Sequence, residues 1–567
     1  MTYPWYRFYG ETPKHIDTFR GSLYQAVAKA AETYPSNTAL LFFGRKTNYA
    51  LLMEKVHAAA ASLTAMGVKK GDRVTICLPN CPQAVVMFYA SSAIGAVANM
   101  VHPLSAANEI EFYLNDSESV LAVTLNAFYH KFVAVKGKCP HLRRVVIADL
   151  AEELPFFTKV GFFLTKGRKI PKYHTTDDAI LWKDFMRLGE GVSAAIVEQG
   201  KDDLAAVLYS GGTTGITKGI LLSNYNFNAL GAQVAATHPR FEIGDRMLAI
   251  MPLFHGFGLG VCLHTMLMHG CCSILVPQFN AKTYIDLLAK YRPNYIAGVP
   301  TLFEALLRLE KGVKPDLSCL KGMFSGGDSL SIELKKKVDD YLARHHATIR
   351  VREGYGTTEC VTASCLTPLT MEKEGSIGVP FPDTIYQICK VGTTEELPYG
   401  EEGEICISGP TVMLGYVHQE EETKEVMKVH PDGNLYVHTG DLGKMDEDGF
   451  IYFKQRIKRV IVTNGYNVYP SQIENVIDSN EYVSFSCVIG VKTEYGNHRV
   501  KAYVVLKKGI KPTEEIKRSI LTYCKEHIAR YAAPKEIEFR DDLPKTLVGK
   551  VAYRILEEEA NKENTKE

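Results

Sequence analysis

The chain has 567 residues, 46% of them apolar and 23% charged, an ordinary composition for a soluble globular protein. At about 150 residues per domain, that length predicts roughly three or four domains or subdomains, with a core large enough to need no disulfide or metal staple. Its 65 Lys and Arg stand against 64 Asp and Glu, a net charge of +1, which argues against a dedicated nucleic-acid binder and against an acidic disordered chain.

The N-terminus, MTYPWYRFYGETPKH, has no basic region followed by an apolar run, so no secretory signal is predicted. Up to about Leu150 helix and strand alternate. SLYQAVAKAAETYP and ALLMEKVHAAAASLTAMG have helical apolar spacing; RVTICLP, AVANMVHP and SVLAVTL read as short buried strands. This predicts an α/β fold with a mostly parallel sheet. The uncharged stretches Val74–Asn108 and Met247–Ala281 raise a membrane question, but Pro and Gly punctuate both. A spanning helix wants about 20 predominantly apolar residues, so both are expected to be buried βαβ units.

The segment Leu154–His174 stands apart. It mixes Phe156, Phe157, Phe162, Phe163 and Leu164 with Lys159, Lys166, Arg168, Lys169 and Lys172. Aromatic and basic residues together can mark a membrane-surface contact, but the stretch is short and broken by Gly161, Gly167 and Pro171, which favours a surface insertion with its apolar residues docked on the core. The α/β pattern resumes from Asp203 to about Leu366, and short strands follow from Gly375, ending at the Asp446–Gly449 turn. After Arg456 a smaller α+β pattern begins, with helices from about Ser471 and from Thr513 to Arg530 and a charged, frayed tail from Glu557. The 13 Cys are scattered, with no CxxC pair. They read as buried thiols of a reducing cytoplasm rather than as a zinc site or a disulfide framework.

The most informative stretch is VLYSGGTTGITKGILLS, Val207–Ser223. An apolar strand enters a loop in which Gly211, Gly212 and Gly215 let backbone approach a phosphate. The hydroxyls of Ser210, Thr213 and Thr214 and the Lys218 ammonium favour an anion. It is not a Walker A loop, because Thr217 rather than Gly precedes Lys218 and a strand-like GILL follows. No G-x-S-x-G elbow occurs, and GFGLGV at Gly256 fails the dinucleotide fingerprint.

On these residues the chain resembles the adenylate-forming (AMP-binding) superfamily of acyl-CoA synthetases, luciferases and peptide-synthetase adenylation domains. It departs from that family's loop at Gly211 and Thr217. Further motifs follow in the family's order. SGGDSLS, with Gly326 and Gly327, resembles the segment that packs on adenine. EGYGTTE, Glu353–Glu359, resembles the motif in which Tyr355, Gly356 and Thr357 meet the purine, Thr358 the α-phosphate and Glu359 a Mg²⁺ ion; a single carboxylate suits a metal held largely by substrate phosphates. Thr439-Gly440-Asp441 and Arg456 look like the ribose-binding pair, with Gln455 where the family has Gly. Lys458 falls at the family's hinge. NGYNVYPSQIE places Gly465 and Tyr466 beside the CoA tunnel, and PKTLVGKVAYR supplies Lys550, a mobile cation for the adenylation step. His255 is either a core histidine or a gate between the acyl carboxylate and the thiol.

The resemblance implies a large domain, 1–455, made of two α/β subdomains and a β-rich subdomain. A hinge at 456–460 and a small mobile α+β domain, 461–567, complete it. It implies MgATP-dependent activation of a carboxylate to an acyl-adenylate, then transfer to CoA. YPWYRFY, HPLSAANEIEFYLNDS and the insertion after Leu154 resemble bacterial medium- and long-chain fatty-acid–CoA ligases. Val299–Gly326 and the Gly-rich 254–260 segment are expected to line the acyl pocket. An aryl or other carboxylate–CoA ligase, and a ligase loading a carrier protein, remain alternatives; a non-catalytic binder is disfavoured because Glu359 and Lys550 are both present. The expected partners are a fatty acid, ATP and CoA, not nucleic acid. The expected location is the cytoplasm, at most peripheral on the inner face of the membrane through 154–174.

Overall fold

The computed structural model describes residues 3–165, 167–210, 217–238, 240–308, 315–463, 466–492, 498–529, 532–545 and 551–564. The first α/β stretch builds an eight-stranded sheet. Its spatial order is Gly415–Tyr416, Gly219–Ser223, Leu204–Tyr209, Val97–Met100, Arg73–Cys77, Leu121–Leu125, Arg144–Ala148 and Ala179–Leu181. From Leu204–Tyr209 onward the strands are parallel; the other edge is antiparallel. Strands such as Leu121–Leu125 are buried at every position, as covered parallel sheets require.

The second sheet has nine strands, in the order Val379–Pro380, Cys365–Leu366, Val351–Tyr355, Gly322–Ser325, Tyr295–Gly298, Arg246–Ala249, Cys272–Leu275, Thr38–Phe42 and Arg45–Asn48. Its interior is parallel and both edges are antiparallel. One apolar core joins the two sheets, with Val74, Ile76 and Ala206 from the first and Leu40, Met247 and Tyr295 from the second.

Both uncharged stretches supply that core. Helix Pro82–Ala93 is buried at all twelve positions, and the π-helix Phe257–His264 at all eight. A helix apolar all round has no face for water, so it ends inside a core or in lipid. Here it is a core, and among the described residues no helix is long and apolar enough to cross a membrane.

The short strands after Gly375 form an antiparallel sheet, Ile385–Cys389, Gly403–Ser408, Leu435–Met445 and Met427–Val429, with Ile451–Arg456 also pairing with Leu435–Met445. From residue 461 the cores are separate. Ile461, Ile473, Val488, Ile520 and Ile537 form one; Ile489, Tyr503 and Leu556 belong to another, and neither includes a residue before 461. Their sheet is Val483–Lys492, His498–Leu506 and Glu536–Phe539.

Two readings of the sequence are corrected. The tail from Glu557 is not frayed: helix Tyr553–Asn564 extends through it, because Leu556 and Ala560, one turn apart, are buried against the small sheet. The second small-unit helix spans Glu514–His527, started by Thr513, whose hydroxyl accepts from the Ile516 amide.

Candidate active site

The strand Leu204–Tyr209 runs into the Gly/Thr loop and Gly219–Ser223 returns antiparallel to it. The Ser210 amide donates to the Lys218 carbonyl at 3.2 Å and closes the mouth of the loop. Gly211, Gly212, Thr213, Thr214 and Gly215 lie outside the described residues. The Lys218 ammonium sits 4.6 Å from the centre of the Tyr416 ring, a cation–π contact. Tyr416 reaches this place because Gly415–Tyr416 pairs with the returning strand, Tyr416 opposite Ile220. Its hydroxyl donates to Glu359 Oε1 at 3.0 Å. Burial, then the Glu359 carboxylate, push the Tyr416 phenol well above its ordinary range, so it stays a protonated donor. Tyr416 therefore links Lys218 to Glu359. The sequence reading missed it; the signal was a Gly-Tyr pair after SGPTVML, without distinctive chemistry of its own.

Glu359 is carried on the short 3₁₀ turn Thr358–Cys360, and the chain then reverses sharply. Val361 has φ 63° and ψ −50°, and the Thr362 amide donates to the Cys360 carbonyl at 2.7 Å across it. This is a γ-turn of the rare positive-φ kind, and rarer still for a β-branched residue. The packing holds it there. A Cβ on Gly256 would lie 1.6 Å from the Val361 oxygen, and one on Gly356 would lie 2.2 Å from the Thr362 oxygen. The motif glycines thus admit neighbouring backbone. The same holds for Gly258, whose Cβ would meet the Pro252 oxygen at 2.1 Å. At Gly256 and Gly258, missing side chains make room for neighbouring backbone.

His255 immediately precedes Gly256. Its Nδ1 accepts from the Phe257 amide at 3.2 Å, which orients the ring at the start of the π-helix. Gly256 brings this segment against the turn that carries Glu359. Ser325 lies opposite Glu353 in the sheet, which sets Gly326 beside Gly354; a Cβ on Gly326 would stand 3.3 Å from the Gly354 oxygen. Gly327 has φ +81°, a conformation that favours glycine. Nearby in the chain, Ser325 Oγ and Thr357 Oγ1 are buried with no hydrogen-bond partner among the described residues. Unsatisfied buried hydroxyls are uncommon and mark places where a ligand can complete the bonding.

A second cluster surrounds Asp441, which is 1% exposed. Tyr355 Oη donates to its Oδ2 at 2.5 Å, and Arg456 Nε lies 3.0 Å from its Oδ1. Asp441 and Arg456 are direct partners in the sheet, and the Arg456 Nη1 also donates to the Thr439 carbonyl at 3.1 Å. Gly440 takes φ +69° just before Asp441. Burial works against the Arg456 charge, but Asp441, then Tyr355 and Glu359, outweigh it and raise its pKa. Arg456 thus pairs with Asp441 and feels the Glu359 charge as well. Gln455 is buried with both ends of its amide unpartnered among the described residues.

Lys458 lies exposed on the 3₁₀ turn Ile457–Arg459, between the antiparallel sheet and the small unit. Arg459, not singled out from sequence, is the fixed point there. It forks onto Glu474 at 2.5 and 3.3 Å, and its guanidinium lies 4.9 Å from the Tyr553 ring centre. Gly465 and Lys550 lie outside the described residues, and Tyr466 is described in its backbone alone. The residues flanking the Lys550 segment, Lys545 and Val551, pair in an antiparallel bridge.

The arrangement offers two cations, Lys218 and Arg456, a half-buried carboxylate on a short turn, an aromatic ring and a buried acid, joined by these contacts. Glu359, with one oxygen engaged by a neutral phenol, fits a Mg²⁺ ion that takes one protein carboxylate and completes its shell with phosphate and water oxygens.

A family model described as AMP-binding enzyme matches residues 27–417, and one described as AMP-binding enzyme C-terminal domain matches residues 472–550. The chain is 33% identical over 573 residues to the long-chain-fatty-acid–CoA ligase of Bacillus subtilis (strain 168), covering 99% of each. It is 31% identical to the probable 4-coumarate–CoA ligase 2 of Dictyostelium discoideum, covering 89% of each. Its fold is similar to that of an anthranilate CoA ligase solved in complex with anthranoyl-AMP, with a TM-score of 0.83, 21% identity, and coverage of 98% of this chain and 99% of that one.

Proposed function

We propose, from the premise that this chain belongs to the family of AMP-binding enzymes, that it is an ATP-dependent ligase joining a fatty acid to CoA. The observation that carries the chemistry is the convergence of Lys218, Glu359, Tyr355, Asp441 and Arg456, joined through Tyr416 and the Arg456 charge. The fatty acid is supported by full-length similarity to relatives bearing that name. The 4-coumarate relative favours a second reading, an aryl carboxylate.

A carboxylate cannot expel oxide, so the acid must first gain a leaving group. One carboxylate oxygen attacks the α-phosphorus of ATP, a C–O–P bond forms, and pyrophosphate leaves. The sulfur of CoA then attacks the acyl carbon, the bond to AMP breaks, and the thiol proton passes to solvent. No protein nucleophile enters either step. Asp441 accepts from ribose hydroxyls while Arg456 holds it in place, and Tyr355 presents its face to the purine. Ser210, Lys218 and Thr358 bind phosphate oxygens, together with Gly211, Gly212, Thr213, Thr214 and Gly215 of the loop. A bound Mg²⁺, held by Glu359, would neutralise phosphate charge. Lys550 bridges the carboxylate and α-phosphate oxygens as charge builds between them. His255 gates the approach of the thiol, and Gly465 and Tyr466 border its tunnel.

Residues 1–455 form the substrate-binding unit. Residues 461–567 rotate about Lys458, within a hinge at 456–460, between the two steps; the separate cores on either side support this division. The segment 154–174 makes the peripheral contact with the inner face of the membrane. Helix Phe156–Thr165 supports that contact, with Phe156 73% and Phe157 86% exposed. Exchange of labelled pyrophosphate into ATP tests the activation step. Exchange that requires both the full chain and an added fatty acid is expected, and its absence with every carboxylate tried contradicts the ligase.

A further inference from the structure

Behind the strand that carries Asp441, the antiparallel sheet buries a group of side chains for which adenylate chemistry has no use. Cys389 and Cys406 are fully buried, and His430, Glu404 and His438 are 3%, 6% and 7% exposed. The register assembles them. Cys389 lies opposite Glu404, Gln387 opposite Cys406, and Cys406 opposite His438. Side chains alternate between faces along a strand, so these five positions share one face. His430 joins them from the turn after Met427–Val429.

The donor atoms converge. Those of Cys389, Cys406 and His430 all lie within 4.8 Å of one another, as do those of Glu404, Cys406 and His438. Among the described residues these are the two such groupings of three, and they share Cys406. Cys389 Sγ is 3.9 Å from His430 Nδ1, and Cys406 Sγ is 3.5 Å from His438 Nδ1. A tetrahedral zinc with bonds of about 2.3 Å to sulfur and about 2.0 Å to nitrogen keeps such atoms roughly 3.5–3.8 Å apart.

The hydrogen bonds orient both rings. Glu404 Oε2 lies 2.9 Å from His438 Nδ1, so that nitrogen bears a proton and donates. The Nε2 atoms of His438 and His430 share a hydrogen bond at 3.0 Å, and His430 Nδ1 faces the Gln387 amide at 2.6 Å and the Cys389 sulfur at 3.9 Å. Metal-binding imidazoles characteristically hydrogen-bond through their other nitrogen to an oriented partner, as His430 Nε2 does to the His438–Glu404 pair.

We propose that Cys389, Cys406 and His430 Nδ1 form a binding site for a borderline-soft divalent metal of the zinc class, with His438 and Glu404 as its outer support. Two thiolates and an imidazole select zinc over magnesium or calcium, which take oxygen. Two thiolates also balance the ion's charge in a buried place, their protons passing to solvent on binding. The site is separate from the Glu359 position and stands independently of the ligase reading. Its outer support reaches the Asp441 strand directly: His438 is on that strand, and the Gly440 amide donates to Glu404 Oε1 at 2.9 Å.

The test is a cobalt titration of the full chain after chelator treatment. Saturation at about one Co²⁺ per chain is expected, with thiolate-to-cobalt charge-transfer absorption that Zn²⁺ abolishes. Cys389→Ser and His430→Gln should each weaken binding by about 10- to 100-fold or more, while Cys524→Ser, a buried thiol of the small unit, leaves it unchanged. If the variants do not fold, X-ray absorption at the zinc edge of the wild-type chain decides: a mixed sulfur and nitrogen shell supports the site, and an oxygen-only shell overturns it. Absence of charge-transfer absorption, its persistence in both variants, or a Cys389–Cys406 disulfide in the native chain also overturns it.

Discussion

At Asp441 a buried carboxylate is held between one guanidinium and one phenol. Asn has nearly the same shape but no charge, so Asp441→Asn leaves Arg456 without its counter-ion and weakens an acceptor for ligand hydroxyls. Hydrogen bonds to charged groups contribute about 1.5–3 kcal/mol. The variant should therefore raise the ATP concentration for half-maximal exchange by about 10- to 100-fold, and an unchanged ATP dependence would remove Asp441 from the nucleotide site. Glu353, the first residue of the motif that ends at Glu359, makes a different prediction. Burial pushes its carboxyl up to about 7 from 4.5; Lys335 opposes this, and Glu372 and Asp339 add to it. The folded chain thus holds a proton that the unfolded chain has lost. The stability this one carboxyl contributes is full below about pH 4.5 and is lost as pH rises to about 7, roughly 3 kcal/mol in all. Urea midpoints should fall between pH 5 and pH 8 in the wild type and fall less in Glu353→Gln; equal falls would contradict the raised carboxyl. Tyr416 shows what motif reading misses at this scale. It reaches Glu359 from 57 positions away, through a two-residue strand that carries no periodicity.

At the scale of elements, helix Phe156–Thr165 turns Phe162 onto the main core and leaves Phe156, Phe157, Val160 and Leu164 in the open. Arg168, Lys169 and Lys172 follow, exposed, in the same segment. Apolar area buried in a bilayer and basic residues near anionic headgroups favour the same docked orientation. Replacing Phe156 and Phe157 by Ser should sharply reduce co-sedimentation with phosphatidylglycerol-containing vesicles. Unchanged sedimentation would make the helix an ordinary surface insertion. The sequence marked this segment by its composition without predicting its helix, and disclosed the buried helices through apolar runs broken by Pro and Gly. It did not disclose the π-helix, whose register depends on the close approach of Gly256 and Gly258 to other backbone. Nor did it disclose the group around Cys389 and Cys406, because strand register assembles its ligands from two separate strands and a turn, and their outer support from a third strand. Short fixed spacings report only sites built within one loop or helix. The charged Glu557–Glu559 run likewise concealed the Leu556 and Ala560 spacing of the last helix.

At the scale of the molecule, order along the chain was the readable property. The Gly/Thr loop, the Ser325–Gly327 segment, the Glu359 turn, the Asp441 strand and the small unit occur in a fixed succession; two sheets sharing a core bring the first three together, and the Tyr355–Asp441 hydrogen bond ties in the antiparallel sheet. The small unit, with cores of its own, is joined through the Ile457–Arg459 turn. If it delivers Lys550 for the first step alone, Lys550→Ala should abolish pyrophosphate exchange while leaving thioester formation from supplied acyl-adenylate largely intact. Equal losses in both half-reactions would contradict that division of labour. The central claim, that the acid is a fatty acid and the acceptor CoA, is tested most directly by supplying the full chain with MgATP, CoA and a series of acids from acetate through oleate to 4-coumarate. Formation of acyl-CoA should be greatest with a medium- or long-chain fatty acid and should match AMP and pyrophosphate one for one. A maximum at an aromatic acid, or adenylate formed without transfer to CoA, would contradict it.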